Sequence, residues 1–130
     1  MSAMTTILLI GTVDTKHDEI AFLRDCIAQL GARALVMDVG VLGRGALTAD
    51  IPNTEVAAAA GMTLQQVADS GDENTSMTLM ARGAATLARR AHAQGRFDGM
   101  LALGGTMGTD LALEVALALP LGVPKVVLST

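Results

Sequence analysis

Aromatic residues are almost missing from this chain of 130 residues, which has two Phe and neither Trp nor Tyr. Hydrophobic residues still make up 51% of it, which excludes general disorder. The core must therefore consist of Val, Ile, Leu, Met and Ala, a palette that suits buried parallel strands and Ala-rich helices. Proteins that bind single-stranded nucleic acids stack the bases on aromatic rings, and this composition offers no such surface.

Positive charge is also scarce. Nine Lys and Arg residues stand against 13 Asp and Glu residues, and no basic run is longer than Arg89-Arg90. Nucleic-acid binding needs a positive face that neutralises phosphates, so the charge balance argues against a nucleic-acid partner.

Cysteines and long hydrophobic runs are lacking too. The single Cys26 excludes an internal disulfide, and its place in an apolar helical pattern favours a core position over a nucleophile. The first apolar run is short, ends at Gly11 and has no basic residues before it, which is typical of neither a signal peptide nor a membrane span. The sequence therefore predicts a cytoplasmic domain with no membrane partner.

Short apolar runs alternate with helical patterns along the chain. Such alternation predicts a single α/β domain over residues 1–130, a Rossmann-like three-layer sandwich whose parallel sheet has the strand order 2-1-3-4. Gly40, Gly43 and Gly45 predict a flexible loop after the second strand. The predicted strands are residues 4–10, 34–37, 97–103 and 125–129. The first predicted helix covers about fifteen residues after Gly11, and a short one is opened by a capping box at residues 63–66. The other predicted helices are residues 54–60, 74–94 and 110–119.

Two segments rich in Gly and Thr follow the first and third predicted strands. The first Gly/Thr segment is residues 11–16 (GTVDTK) and the second is residues 104–109 (GGTMGT). In a 2-1-3-4 sheet the chain adds strand 2 on one side of strand 1 and strand 3 on the other side. Ligands bind at this switch point, beyond the carboxyl ends of strands 1 and 3. The sequence therefore predicts one anion-binding crevice formed by both segments.

The first segment offers a tight turn at Gly11, hydroxyls at Thr12 and Thr15, and the charge of Lys16. The helix behind it presents unpaired N–H groups and the positive end of its dipole, which favour a phosphate. The segment lacks the P-loop pattern. The alternative is an ordinary strand-to-helix turn in which Asp14 or Thr15 caps the helix and Lys16 is solvated.

The second segment has three glycines within five residues, at the point where the chain leaves a buried strand. Successive N–H groups without side chains can cradle an anion. The dinucleotide pattern G-x-G-x-x-G is not met. The alternative is that the glycines only permit close packing of helix and strand, with Thr109 as the helix cap.

Other polar residues leave several interpretations open. Asp38, which ends the second strand, can bind ribose hydroxyls or cap a turn. Asp14 and Asp110 either face the helix backbone or help to hold a divalent metal such as Mg²⁺. His17 and His92 have no second metal ligand at useful spacing and are predicted to be surface helix residues. No Ser/His/Asp or Cys/His set can be assembled, so the catalytic residues stay unknown.

Three motifs together resemble the N-terminal ATP-binding domain of the tomato mosaic virus resistance protein family. They are G-T-x-D-T-K at residues 11–16, D-x-G at residues 38–40 and G-G-T-x-G-T at residues 104–109. The resemblance implies a Rossmann-like fold, ATP as the ligand, and a longer protein of which this chain is an N-terminal fragment lacking a second α/β domain. It also implies the nucleotide contacts, which are Gly11, Thr12, Asp14, Thr15, Lys16, Gly104, Gly105, Thr106, Gly108, Thr109 and, less strongly, Asp38.

The function predicted from the sequence is a nucleotide-binding module for ATP. Two alternatives stay open: part of an enzyme that transfers or hydrolyses a phosphoryl or acyl group, or a scaffold that binds a small anion or a protein. The missing C-terminal domain of the same protein is a predicted partner, and a homo-oligomer is compatible with the sequence.

Overall fold

A computed structural model of the chain describes residues 4–42 and 47–130, and the predicted loop glycines Gly43 and Gly45 lie outside these ranges. Strands and helices alternate as expected for an α/β fold. In chain order they are β1 (Thr6–Gly11), α1 (Val13–Gln29), β2 (Arg33–Asp38), α2 (Asn53–Ala59), α3 (Leu64–Ala68), α4 (Glu73–Ala93), β3 (Gly99–Gly104), α5 (Thr106–Ala118) and β4 (Lys125–Ser129).

The four strands form one sheet in the order β2-β1-β3-β4, and every neighbouring pair is parallel. This confirms the predicted fold class and strand order. In the register of the sheet, Leu9 of β1 lies opposite Val36 of β2 and Leu101 of β3. The point at which the strand order switches direction therefore lies between β1 and β3.

Alternate residues of β1 point to two separate hydrophobic layers. Leu8 and Ile10 pack in the layer that holds α4 and α5, and Leu9 packs with Ile20 and Ile27 of α1 on the other face. Leu8, Leu9 and Ile20 are completely buried. A continuous apolar run was the expected pattern for a strand that is covered on both faces.

Several helix ends agree with the sequence patterns that predicted them. The hydroxyl of Thr63 accepts the N–H of Gln66 while the Gln66 side chain accepts the N–H of Thr63, so the predicted capping box opens α3. Gly31 and Gly95 follow α1 and α4 with φ of 81° and 73°, a left-handed conformation that glycine adopts without a steric penalty.

The starts of α1 and α5 differ from the sequence prediction. Neither Asp14 nor Thr15 caps α1, because Thr12 is the N-cap residue and no side chain makes the capping bond. The last helix begins at Thr106 and not at Asp110, because the N–H of Thr109 donates to the Gly105 carbonyl (2.8 Å) and closes a helical turn before the predicted start. Most of the second Gly/Thr segment is therefore the first turn of α5.

Cys26 is only half-buried, since it lies beside the face of α1 that packs on the sheet. Within residues 4–42 and 47–130, no helix combines the length and apolar character that a membrane crossing needs.

Candidate functional site

A cavity of about 630 Å³ opens beyond the carboxyl ends of β1 and β3. Its volume is in the range of small-molecule binding sites. Both Gly/Thr segments line it, so the structure places them on one shared space. Of the residues predicted as nucleotide contacts, those that line the cavity are Thr12, Asp14, Thr15, Lys16, Gly104, Gly105, Thr106 and Gly108, and those that do not are Gly11, Asp38 and Thr109.

Two glycines at the start of α5 face open space. Gly105 is the N-cap residue with φ of −75°, a conformation open to any residue, and Gly108 lies in the first turn. A Cβ atom added to either residue would meet no atom within 4 Å. Neither backbone conformation nor packing therefore accounts for these two glycines. Because neither residue has a side chain, the backbone of the helix N-terminus is open to the cavity.

Two other glycines serve packing. A Cβ atom on Gly104 would lie 2.7 Å from the Cα of Gly108, and one on Gly11 would lie 2.8 Å from the Cδ1 of Ile20. The packing alternative therefore describes Gly104 and Gly11, which hold β3 and β1 close to the helices that follow them.

The start of α1 supplies side chains to the same cavity. The hydroxyls of Thr12 and Thr15 lie 2.6 Å apart and hydrogen-bond to each other. The backbone of Lys16 departs from helical geometry (φ −124°, ψ 23°), which kinks the helix. Its half-buried side chain lies along the cavity wall, with Nζ donating to the Thr130 hydroxyl at 3.2 Å.

A third helix start lines the cavity, and no sequence pattern predicted its place there. Gly71, Asp72 and Glu73 are among the lining residues, with Met77 one turn further along α4. Asp72 caps α4 by accepting the N–H of Thr75 at 2.8 Å, and this bond holds the pKa of Asp72 below its usual range. Every helix of a parallel α/β sheet that runs back from a strand end starts on this side, and that rule could have pointed to the α4 start.

Asp38 has a structural position beneath the cavity. It is 6% exposed, and its Oδ1 accepts the N–H groups of Val13 (3.1 Å) and Gly40 (2.9 Å), which ties the turn after β1 to the end of β2. Burial raises the pKa of Asp38, and the nearby charge of Asp14 adds to this rise, although the two N–H groups oppose it. The bond from Gly40 matches the turn-capping alternative for Asp38, and the ribose contact stays a prediction.

Asp14 lies against Gly40, where a Cβ atom would come within 2.6 Å of the carboxylate. One oxygen, Oδ2, accepts the N–H of Leu42 at 2.9 Å. The other, Oδ1, is buried and has no hydrogen-bond partner among residues 4–42 and 47–130. The carboxylate therefore fixes the loop after β2 and keeps one oxygen unused at the cavity wall.

The remaining candidates lie elsewhere. Asp110 lines a separate cleft of about 110 Å³ between α4 and α5. His17 lies beside Asp18, and the ring of His92 lies 5.5 Å from that of Phe97, both outside the cavity. Within the described ranges, no three His, Cys, Asp or Glu side chains come together as a metal site.

Comparison with known proteins identifies the family. Residues 5–130 match the N-terminal domain of the uncharacterised protein family UPF0261. The chain belongs to this family. It is similar to the UPF0261 proteins of Brucella suis (50% identity over 124 residues) and Clostridium tetani (36% over 124 residues), covering 95% of this chain in both cases.

This UPF0261 domain spans about 30% of the length of those curated relatives. A weaker similarity, 26% identity over 139 residues, relates it to the ToMV resistance protein Tm-1(GCR237) of Solanum lycopersicum, with 95% of this chain and 18% of the tomato protein covered. The resemblance seen in the three motifs is therefore confirmed at the level of the family, while ATP binding stays a prediction.

The structural role of Asp38 leads to a pH-dependent prediction. We expect Asp38→Asn to be more stable than the parent at neutral pH and to lose this advantage in acid. The amide oxygen can still accept the two N–H groups, and the cost of ionising a buried carboxyl disappears. Below the ordinary pKa of 3.8 the carboxyl is protonated in both the folded and the unfolded state, so burial does not lower the stability of the parent there. Since the folded-state pKa is raised, the parent loses stability as the pH rises from 3.8 through the raised pKa.

The measurement is the free energy of unfolding of both proteins by urea at several values between about pH 3 and 8. Asp38→Ala is the control, because it removes the ionisable group and also the one oxygen that accepts both N–H groups, so its curve should lie about 1–3 kcal/mol below that of Asp38→Asn at every pH. Parallel pH curves for the parent and Asp38→Asn would contradict a raised pKa.

Proposed function

We propose that the UPF0261 domain binds a nucleotide, ATP in the first instance, with the phosphates at the N-termini of α5 and α1. The observation that carries the proposal is the pair Gly105 and Gly108, which lack side chains at a helix start where neither packing nor conformation asks for glycine. The first N–H groups of a helix have no partner within the helix, and the dipole makes this end favourable for an anion.

The side chains around this helix start suit phosphate oxygens. Lys16 supplies a positive charge, and Thr12, Thr15 and Thr106 supply hydroxyls to the same cavity. A cavity of about 630 Å³ leaves room for a nucleoside beyond the phosphates. Its lining beside Val41, Leu42 and Met77 is apolar, so a base would pack on aliphatic side chains and not on an aromatic ring.

The charges of the lining residues also bear on the ligand. Asp14, Asp72 and Glu73 face the cavity together with Lys16, so the acidic side chains outnumber the lysine. We propose that Mg²⁺ accompanies the phosphates and offsets this charge. The unused Oδ1 of Asp14 fits such a cation, because Mg²⁺ prefers oxygen ligands and binds through one or two carboxylates plus phosphates.

The direct test is calorimetric titration of the full-length protein with ATP, ADP, NAD and inorganic phosphate. Binding of ATP without turnover supports the nucleotide-binding module. Binding of phosphate with no gain from the nucleoside would favour a scaffold for small anions, and release of phosphate or acyl transfer would favour an enzyme. No binding of any of the four would contradict the proposal.

The charge of Lys16 supports a prediction of its own. Lys16→Ala removes a charge-assisted hydrogen bond to phosphate, worth about 1.5–3 kcal/mol. The affinity for ATP should therefore fall roughly ten- to a hundredfold. The melting temperature should hardly change, since the only bond that the Lys16 side chain makes within the described chain is the one to the Thr130 hydroxyl.

The other lysine provides the matched control. Lys125 lies outside the cavity and donates to the carbonyls of Pro120 and Val123. Lys125→Ala removes the same charge and should leave ATP affinity unchanged. If Lys16→Ala binds ATP as tightly as Lys125→Ala, Lys16 is only a solvated helix residue.

A further inference from the structure

The two edge strands of the sheet, β2 and β4, differ in how their outward backbone groups are hydrogen-bonded. At the β2 edge, the N–H of Val36 donates to the Asp50 carboxylate (2.8 Å), and its carbonyl accepts the N–H of Ile51 (2.9 Å). The N–H of Asp38 donates to the Ile51 carbonyl (3.0 Å). The outward N–H and carbonyl of Val36 and the outward N–H of Asp38 are thus paired by the loop that follows β2, so the carboxyl-terminal half of this edge is covered.

The β4 edge is open in the described part of the chain. The N–H of Thr130 donates to the Gly104 carbonyl at 3.0 Å, so by the alternation of a strand the N–H groups of Val126 and Leu128 point to β3. Those of Val127 and Ser129 point away from the sheet. No element within residues 4–42 and 47–130 pairs with them.

The usual protections of an exposed edge are missing from β4. Edge strands are commonly guarded by outward charges, proline or a bulge. The strand has the sequence KVVLS, and its one charged residue, Lys125, is turned back onto the carbonyls of Pro120 and Val123. The register with β3 runs from Lys125 to Ser129 without a bulge.

Apolar side chains are exposed on both sides of this edge. Val126 (52% exposed) and Leu128 (40%) lie on the sheet face that α1 covers, where the hydrophobic layer reaches Leu103 of β3 but includes no residue of β4. On the other side, α5 and the loop behind it expose Leu113, Leu117 and Leu121, the last two at 88% and 98%. Large apolar patches on a protein surface mark sites where something else packs.

We infer that the β4 edge pairs with a further β-strand supplied by the same polypeptide, from the part that follows this domain in the longer relatives. The family model describes the matched region as an N-terminal domain, and the region makes up about 30% of the bacterial relatives. A strand followed by a helix would pair the edge and cover the apolar face together. Two copies joined at this edge would extend the sheet and leave Val126 and Leu128 uncovered, and a linked segment has a far higher effective concentration than a second molecule.

The inferred strand would end beside the cavity. The Ser129 hydroxyl lies 2.9 Å from that of Thr109, and the Thr130 hydroxyl lies 3.2 Å from Lys16 Nζ. The carboxyl end of β4 therefore touches both Gly/Thr segments, and the loop after the next parallel strand would reach the rim of the same cavity.

Residue-resolved amide hydrogen exchange of the full-length protein tests this inference. Val127 and Ser129 report on the outer edge, while Val126 and Leu128, which bond to β3, are internal controls in the same strand. We expect all four amides to exchange slowly in the monomeric full-length protein. Fast exchange of Val127 and Ser129 beside protected Val126 and Leu128 would overturn the inference.

A second measurement separates the inferred strand from a second copy. The exchange experiment is repeated over a range of concentrations, with the molar mass measured by light scattering. Protection of Val127 and Ser129 that persists when the protein is monomeric supports the inference. Protection that appears only with a dimer would overturn it, because the occupant is then another molecule.

Discussion

The free energy of unfolding is expected to fall by about 2 kcal/mol in a Gly83→Ala variant. Gly83 lies inside α4, where α2 approaches so closely that an added Cβ atom would overlap the Val56 carbonyl oxygen. Val56 is completely buried, so its backbone cannot move without disturbing the core. Overpacking commonly costs about 1–3 kcal/mol, and a clash with buried backbone lies at the upper end of that range, while the better helix propensity of Ala offsets about 1 kcal/mol.

The same substitution at Gly108 is the matched control for stability. Gly108 also lies in a helix, but an added Cβ atom meets nothing within 4 Å. Gly108→Ala should therefore stabilise the fold by about 0.5–1 kcal/mol. Urea unfolding of both variants gives the comparison, and equal stability of the two would show that α2 and α4 do not approach as closely as described.

The strands were predictable because their residues are buried on both faces. β4 was predicted to the residue, and β1, β2 and β3 within two residues at either end, since an apolar run bounded by Gly or Asp has few alternatives in a chain with so little aromatic content. The sheet order follows the doubly wound 2-1-3-4 pattern, and right-handed crossovers then place α1 on one face of the sheet and α4 and α5 on the other.

The polar residues were harder to place, since their partners are distant in sequence. Asp14 was expected to cap its own helix, yet it accepts the N–H of Leu42, 28 residues away. Asp38 was expected either to face a ribose or to cap a turn before Gly40, and its Oδ1 accepts both the N–H of Gly40 and that of Val13, 25 residues away. A carboxylate can cap a helix, cap a turn or contact a ligand. Which of these it does depends on residues that are distant in sequence and close in the fold.

The start of α5 shows a tertiary effect that overrides local preference. Glycine is a poor helix former, so residues 104–109 were interpreted as a turn before the helix. In the structure Gly104 packs against Gly108, with an added Cβ only 2.7 Å from the Gly108 Cα, and this contact sets the helix directly on the end of β3. The missing Cβ of Gly104 thus lets the helix begin directly after β3, with its N-terminus at the cavity.

This geometry predicts that two glycine variants lose ATP binding without losing the fold. Gly108→Ala and Gly105→Val place carbon atoms in the open space in front of the α5 N-terminus, where the phosphates are proposed to lie. We expect ATP affinity to fall at least about tenfold, or 1.4 kcal/mol, for Gly108→Ala, and further for the larger valine. Because Gly105 has φ of −75°, valine there brings no left-handed strain, and loss of binding cannot be assigned to a distorted turn.

Titration calorimetry with ATP and thermal melting, both on the full-length protein, measure the two properties separately. Gly122→Ala is the control, because Gly122 also has open space around it but lies outside the cavity. The expected pattern is normal affinity in Gly122→Ala, weaker binding in both cavity variants, and a melting temperature for Gly108→Ala at or above that of the parent. If the cavity variants bind ATP as tightly as Gly122→Ala, the phosphates do not lie on the α5 N-terminus, and the two glycines need an explanation other than a bound nucleotide.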